Sequence, residues 1–511
     1  MKTPIFNWLD QRGSGLLLHP TSLPSDHGIG TLGAPTLKAL DFMYESGIHY
    51  WQVCPLGPTG FGDSPYQSFS AFALNPYLID LNLLIEEGLL SKKEVAKLSK
   101  MPKEKVDYGA LYENKWPVLR KAYNNFKNAN TDQVSKFGSF STFKNKNQDW
   151  LHAYALFMAI KDSLNGASWD LWEPSISSYK KAAKSDLARR LSIDVDAYSF
   201  YQYLVYAQWQ EAREYASDRS IEIIGDIPIF VAYDSADTWS NPDVFLLNKQ
   251  GRPEVVAGVP PDYFSEDGQL WGNPLYNWDY LKRTKYQWWM KRCESNFKIY
   301  DIVRIDHFRG FCDYWEIPAV AKTAKNGKWK KGPGLSFFEA LKNHFPDAKV
   351  IAEDLGIITE DVRRLRAQAG LPGMAILHFA FDGSEDNSYL PKNVSENCVI
   401  YPGTHDNDTT QGWLDSLSSK EKNQVSNYLN VNHHDLNWGL IKASMDSKCL
   451  LSVIALQDYL GFGSEARLNS PGIASGNWQW RCSEEEMDSL LEDQGQRIYE
   501  LIESSGRYHS S

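Results

Sequence analysis

The sequence contains no apolar run that approaches the length of a membrane span, and Met1 to Asp10 lack the basic start and apolar core of a secretory leader. A cytoplasmic location, away from any membrane partner, is the expectation. Close cysteine pairs of the metal-ligand kind are also missing: Cys54, Cys293, Cys312, Cys398, Cys449 and Cys482 are widely scattered and are read as reduced. Positive charge is scarce, with 53 Lys and Arg against 64 Asp and Glu and a net charge of −11. Nucleic-acid binding is driven by cations that neutralise phosphates, so no nucleic-acid partner is expected. Internal repeats and low-complexity tracts are lacking, and 42% hydrophobic with 23% charged residues leaves no case for disorder. What the chain has in quantity is aromatic surface. Its 18 Trp, 27 Tyr and 23 Phe supply flat amphipathic rings that suit sugar faces as well as protein cores.

Eight short apolar runs end in polar or Gly/Pro residues: Gly15 to Leu18, Tyr50 to Cys54, Ile221 to Asp226, Ile302 to Asp306, Val350 to Asp354, Met374 to His378, Cys398 to Pro402 and Leu451 to Gln457. Several are nearly continuous Val, Ile and Leu, as strands covered on both faces require. Amphipathic helical patterns such as Ala34 to Glu45 and Thr359 to Ala369 lie between them, so the order is strand, helix, strand, helix. Eight such units predict an α/β protein, a (β/α)8 TIM barrel spanning residues 1–511. Two connections are too long for a simple crossover. Residues 57–205, between the second and third strands, read as a mainly helical insertion, with a capping box at Ser91 and Glu94. Leu151, Tyr154, Ala155 and Met158 repeat at helical spacing and are read as core packing, as are Phe200, Tyr203 and Leu204. Residues 230–297, between the third and fourth strands, are rich in Pro, Gly, Asp and Trp and read as a structured loop over a site. Lys325 to Gly334 reads as an exposed basic loop. Little length remains after the eighth strand and its helix, so no C-terminal β domain is expected.

Active sites of such barrels lie at the carboxyl ends of the strands, and here those ends are acidic. The third finishes at Asp226, the fourth at Arg304 and Asp306, the fifth at Glu353 and Asp354, and the seventh leads into Thr404-His405-Asp406-Asn407-Asp408. Alternation along Ile302 to Asp306 puts Arg304 and Asp306 on one face. Taken alone, that pair fits a structural ion pair as well as it fits a nucleophile held in its charged form. Carboxylates gathered at one mouth repel each other, which argues against a purely structural explanation for all of them. Metal binding and glycosyl transfer both use such clusters. The fixed charge of Arg304 competes with a metal for Asp306, so glycosyl transfer accounts for more of the pattern and no metal or cofactor is expected. Retaining enzymes need one ionised carboxylate and one protonated acid about 5 to 5.5 Å apart. Asp306 suits the first role, Glu353 suits the second because apolar neighbours raise a carboxyl pKa, and Asp406 makes a third carboxylate.

With these residues assembled, the chain resembles the 4-alpha-glucanotransferases known as amylomaltases or disproportionating enzymes, relatives of the alpha-amylases. The resemblance rests on a series of motifs: Gly15 to Pro24, Gly62-Asp-Ser-Pro-Tyr-Gln67, Gly225-Asp-Ile-Pro-Ile-Phe230, Gly258-Val-Pro-Pro-Asp-Tyr-Phe264, Gly268-Gln-Leu-Trp-Gly-Asn-Pro274, Val303 to Gly310, Ala352-Glu-Asp-Leu-Gly356 and Thr404 to Thr409. It implies that Asp306 is the nucleophile forming a covalent glucosyl intermediate, Glu353 the general acid and base, and Asp406 the stabiliser of the transition state. It further implies that Tyr66 stacks on the sugar before the scissile bond, with Asp226, Arg304 and His405 as polar neighbours. Asp262, Gln269 and Trp271 resemble a loop that closes over the acceptor. Maltooligosaccharides and glucose are the expected donors and acceptors. A hydrolase of the same fold and a catalytically silent glucan-binding protein are the alternatives.

Overall fold

The computed structural model describes residues 4–60, 62–261 and 266–509. Each of the eight apolar runs overlaps a parallel strand: β1 (Gly13–Leu17), β2 (Tyr50–Gln52), β3 (Glu222–Pro228), β4 (Ile302–Asp306), β5 (Lys349–Ala352), β6 (Gly373–Ile376), β7 (Cys398–Tyr401) and β8 (Leu451–Ala455). They neighbour one another in the order β5-β4-β3-β2-β1-β8-β7-β6. The two ends meet where the Ala352 N–H donates to the Pro372 carbonyl at 2.9 Å. Asp354 latches the same seam, accepting the Met374 N–H at 2.8 Å and lying 3.0 Å from Arg366 Nε. The sheet thus closes into the (β/α)8 barrel expected from the sequence. Helices Ala34–Glu45, Leu335–His344 and Glu360–Ala369 follow β1, β4 and β5.

Strand alternation decides what reaches the barrel interior. Register pairs Ile224 with Ile302 and Asp226 with Arg304, so the members of each pair share a face. Ile224, Ile302, Ile351, Met374, Val399 and Leu451 form one buried cluster, which is the barrel floor. Their neighbours Ile223, Val303, Ile305 and Val350 belong to the larger core under the helices. Burial of each such side chain contributes about 1.5 to 3 kcal/mol. Two residues further along the same faces lie Asp226, Arg304 and Glu353, so the apolar floor carries a polar layer above it.

Between β2 and β3 the chain forms helices Tyr108–Asn128, Leu151–Ser163 and Ser192–Ser217, with shorter ones among them. Asp107 caps the first by accepting the Ala110 N–H, and Ser91 with Glu94 makes a capping box. The apolar stripes are buried, with Leu151, Tyr154, Ala155, Phe200, Tyr203 and Leu204 each at most 2% exposed. Ser192–Ser217 runs on past residue 205 and delivers the chain to β3. Among the described residues no helix is long and apolar enough to cross a membrane.

One part of the architecture differs from the sequence reading. Val255–Val259, Gln269–Pro274, Asp313–Pro318 and Lys328–Lys331 form a four-stranded sheet, antiparallel throughout, beside the barrel mouth. Lys328–Lys331, expected to be a loop, is its exposed edge strand. A period-2 search misses it because Trp329 is its one apolar residue. It is held instead by backbone pairing to Asp313–Pro318, by Lys328 lying 3.1 Å from Glu316, and by edge contact between Trp315 and Trp329. Lysine on an edge strand also discourages pairing with other chains.

Candidate active site

Gly225 precedes Asp226 because a Cβ there would stand 2.1 Å from the Tyr300 ring, so only glycine lets β3 pass. Asp226 beyond it is buried and accepts from Arg304 Nη1 and from the Tyr66 hydroxyl at 2.6 Å. Arg304, only 2% exposed, reaches Asp306 with its other terminal nitrogen at 3.3 Å. The sequence reading had Arg304 holding Asp306 in its charged form. In the structure the closer partner of Arg304 is Asp226. Burial therefore raises the Asp306 carboxyl well above its ordinary range, against the pull of Arg304 and with reinforcement from Asp226, Glu353 and Asp406. Asp306 remains open to the mouth, with 27% of its side chain exposed.

Glu353 follows β5 and is gripped by backbone donors. Its Oε1 accepts the Leu355 N–H at 2.9 Å and its Oε2 the His307 N–H at 2.7 Å. His307 provides its donor from a left-handed turn with φ 52°, an uncommon conformation for a non-glycine residue and one that often marks a working site. Burial raises Glu353, while Arg304 and the two N–H bonds oppose it. Two neighbouring carboxyls are thus both pushed toward protonation, which favours one shared proton over two charges.

Asp406 has the opposite character. Burial works to raise it, but His405 and a 2.6 Å hydrogen bond from Asn469 Nδ2 hold it below the ordinary carboxylate range. Burial likewise opposes charge on His405, yet Asp406, 3.3 Å from Nε2, keeps that imidazole well above its usual pKa. The same nitrogen lies 2.8 Å from the Tyr66 hydroxyl, and the two rings stack at 5.4 Å. Asp406, His405, Tyr66, Asp226, Arg304 and Asp306 therefore form one continuous polar chain across the barrel mouth. Trp478 lies against both Tyr66 and His405 with centroids 5.8 and 5.9 Å away, buried and with φ 62°.

On the opposite flank Trp271 donates to Gln269 Oε1 at 3.1 Å and meets His307 edge-on at 4.9 Å. Asp262 lies outside the described residues. Tyr66, Asp226, Arg304, Asp306, Glu353, His405 and Asp406 share one site, and Gln269 and Trp271 border it through His307. Sequence reasoning missed Asn469, Trp478 and the backbone donor of His307. The first two come from the segment after β8, where no strand end or charge cluster drew notice. The third is a main-chain group that no side-chain motif reveals.

A barrel whose mouth carries two carboxyls biased toward protonation, a third held charged and aromatic flanks defines a glycoside-processing enzyme of the paired-carboxylate kind. The comparisons narrow this further. The chain belongs to the 4-alpha-glucanotransferase family, whose sequence model matches residues 18–487, and is an enzyme of that type. The 4-alpha-glucanotransferase of Clostridium butyricum is 45% identical over 494 residues, 96% of this chain and 100% of that protein. That of Thermus thermophilus is 45% identical over 505 residues, 97% of this chain and 99% of that protein. Among solved structures, the amylomaltase from Streptococcus agalactiae in complex with acarbose is similar with a TM-score of 0.92 and 39% identity, over 98% of this chain and all of that one. The amylomaltase from Corynebacterium glutamicum, 19% identical with a TM-score of 0.78, shares the fold over 98% of this chain and 76% of its own.

Proposed function

We propose that the chain transfers alpha-1,4-glucan segments by double displacement, with Asp306 as nucleophile, Glu353 as acid and base, and Asp406 as a fixed anion beside the developing oxocarbenium ion. The observation that carries this reading is the contrast among the three carboxyls. Asp306 and Glu353 are biased toward sharing a proton, and Asp406 is held charged by His405 and Asn469. With the shared proton on Glu353, the acid delivers it to the glycosidic oxygen as Asp306 attacks the anomeric carbon, and the reducing-end fragment leaves. Arg304 then stands beside the oxygen that becomes the ester. In the second half Glu353 takes the proton of an incoming 4-hydroxyl, and a new bond forms with retained configuration.

Tyr66, backed by Trp478 and His405, provides the platform for the sugar on the donor side. Gln269, Trp271 and His307 form the acceptor side. Water competes with every acceptor, so the sheet edge carrying Trp271 must exclude it while the intermediate survives. Glucose and maltooligosaccharides are the substrates in this reading. A cytoplasmic location accords with six cysteines that are all free. Incubation with maltotriose tests the proposal: glucose plus a ladder of longer oligosaccharides supports transfer, whereas shrinking chains alone would mean hydrolysis.

A further inference from the structure

β7 and β8 lie side by side in the barrel, and the segments that follow them meet over one part of the mouth. The first, Thr404 to Asp408, carries Asp406. The second follows helix Leu456–Leu460, makes a single turn at Ser464–Ala466 and then runs from Arg467 to Trp478 without helix or strand. Irregular chain has no backbone ladder to fix a side chain, yet Asn469 Nδ2 stands 2.6 Å from Asp406 Oδ1.

Arg467 supplies the hold. Its Nη2 donates to the Asp406 carbonyl at 2.9 Å and its Nε to the Asn469 carbonyl at 2.8 Å. With the bond from the Asn469 side chain to the Asp406 carboxylate, these close a ring of three hydrogen bonds. One guanidinium thus grips the main chain of donor and acceptor together. Its donors sit in a rigid planar fork, so the separation of the two carbonyls, and of the groups they carry, is set by that fork. Ser464 Oγ donates to Asp408 Oδ2 at 2.7 Å, and the Trp478 N–H donates to the Leu468 carbonyl at 2.7 Å, seating that ring against Tyr66 and His405. Those bonds anchor the segment, whereas Arg467 bonds to both Asp406 and Asn469. We propose that Arg467 is a positioning residue for the transfer reaction, which sets Asn469 against Asp406 and so places the fixed anion beside the developing oxocarbenium ion. It acts through Asp406 and rests on the reading of Asp406 given above.

Glucose release from maltotriose, resolved into kcat and KM, tests it in the native chain, Arg467→Met, Arg467→Lys, Asn469→Ala and the Arg467→Met/Asn469→Ala pair, with Tm as the check on folding. Arg467→Met should lower kcat about tenfold or more with KM within about twofold, since a misplacement of about 1 Å can cost about 100-fold. The double variant should fall within about threefold of the slower single variant, because a donor already deleted cannot be misplaced. Single losses that simply multiply would show independent action, and a raised KM with unchanged kcat would place Arg467 in sugar binding; either overturns the proposal. Arg467→Lys keeps the charge without the fork and should track Arg467→Met, so a native kcat there would also overturn it. If Arg467→Met does not fold, Arg467→Lys carries the same cycle with Asn469→Ala. Asp406→Asn separates the two readings: full turnover removes Asp406 from its role, whereas lost turnover there with multiplying losses in the cycle strikes Arg467 alone.

Discussion

Arg304→Met removes a buried cation that two carboxylates share. Asp226, 1% exposed, loses its ion-pair partner outright, and stripping one member from such a pair costs about 3 to 5 kcal/mol of stability. Asp306, 3.3 Å away and 27% exposed, loses the charge that opposes its protonation. Near 4 Å a pair of unit charges interacts by about 1 kcal/mol in water and about 4 kcal/mol at an effective dielectric constant of 20. The Asp306 pKa should therefore climb further once the opposing charge of Arg304 is gone. The sign is fixed: the cation favours the charged carboxylate, so its removal raises the pKa and pushes the acid limb of activity to higher pH. The assay is glucose release from maltotriose between pH 4.5 and 9, with folding checked by circular dichroism, because the acid limb of kcat/KM reports the free enzyme's essential base. Turnover near neutrality should fall about 100-fold or more, as when one preorganised donor is removed from a reacting oxygen. Arg304→Lys keeps the charge but not the fork, so it should lose rate with a smaller pH shift. A folded Arg304→Met variant whose acid limb stays in place would refute the claim that Arg304 governs Asp306.

The remaining expectations are briefer. Asp306→Asn should abolish turnover while glucan binding, followed by calorimetry, persists; retained activity would remove Asp306 from its role. Asn469→Ala deletes the 2.6 Å hydrogen bond to Asp406 and should lower kcat about tenfold with KM little changed, as expected for a group acting on a transition-state charge. Trp271→Ala should raise the ratio of hydrolysis to transfer, read as reducing ends per transfer product. Burial lowers His19 to about 3, so the folded protein keeps this ring neutral while the unfolded chain protonates it near pH 6.5. Its effect on stability is absent above that pH and grows as pH falls from 6.5 toward 3, at about 1.4 kcal/mol per unit. Asp458, raised by burial to about 7, acts in the opposite sense, so the histidine effect is read as the difference in Tm between the native chain and His19→Gln at pH 7.5 and 5. Treatment with a chelator should leave transfer activity intact.

The eight strands were legible because a parallel strand under helices must be apolar on both faces, and such runs stand out against a polar chain. Asp226, Arg304, Asp306, Glu353 and Asp406 were legible for a related reason: each ends or follows such a run, and barrel closure leaves strand ends nowhere but the mouth. The edge strand Lys328–Lys331 was not legible, because its pairing is a property of backbone and its side chains face water. Asn469 and Trp478 escaped notice because they reach the site from a segment about 60 to 70 residues after Asp406, a proximity that spacing does not encode.

The amino-acid sequence by itself determined the barrel, the order of its strands and which carboxylates stand at their ends, since alternation and burial are local and periodic. Only the tertiary structure decided how those charges are shared. It gave Arg304 to Asp226 more closely than to Asp306, fixed Glu353 by two backbone donors, and charged the Asp406–His405 pair through Asn469. Pairing of that kind depends on distances of a few ångströms between strands far apart in the chain, and those distances exist only once the barrel has closed.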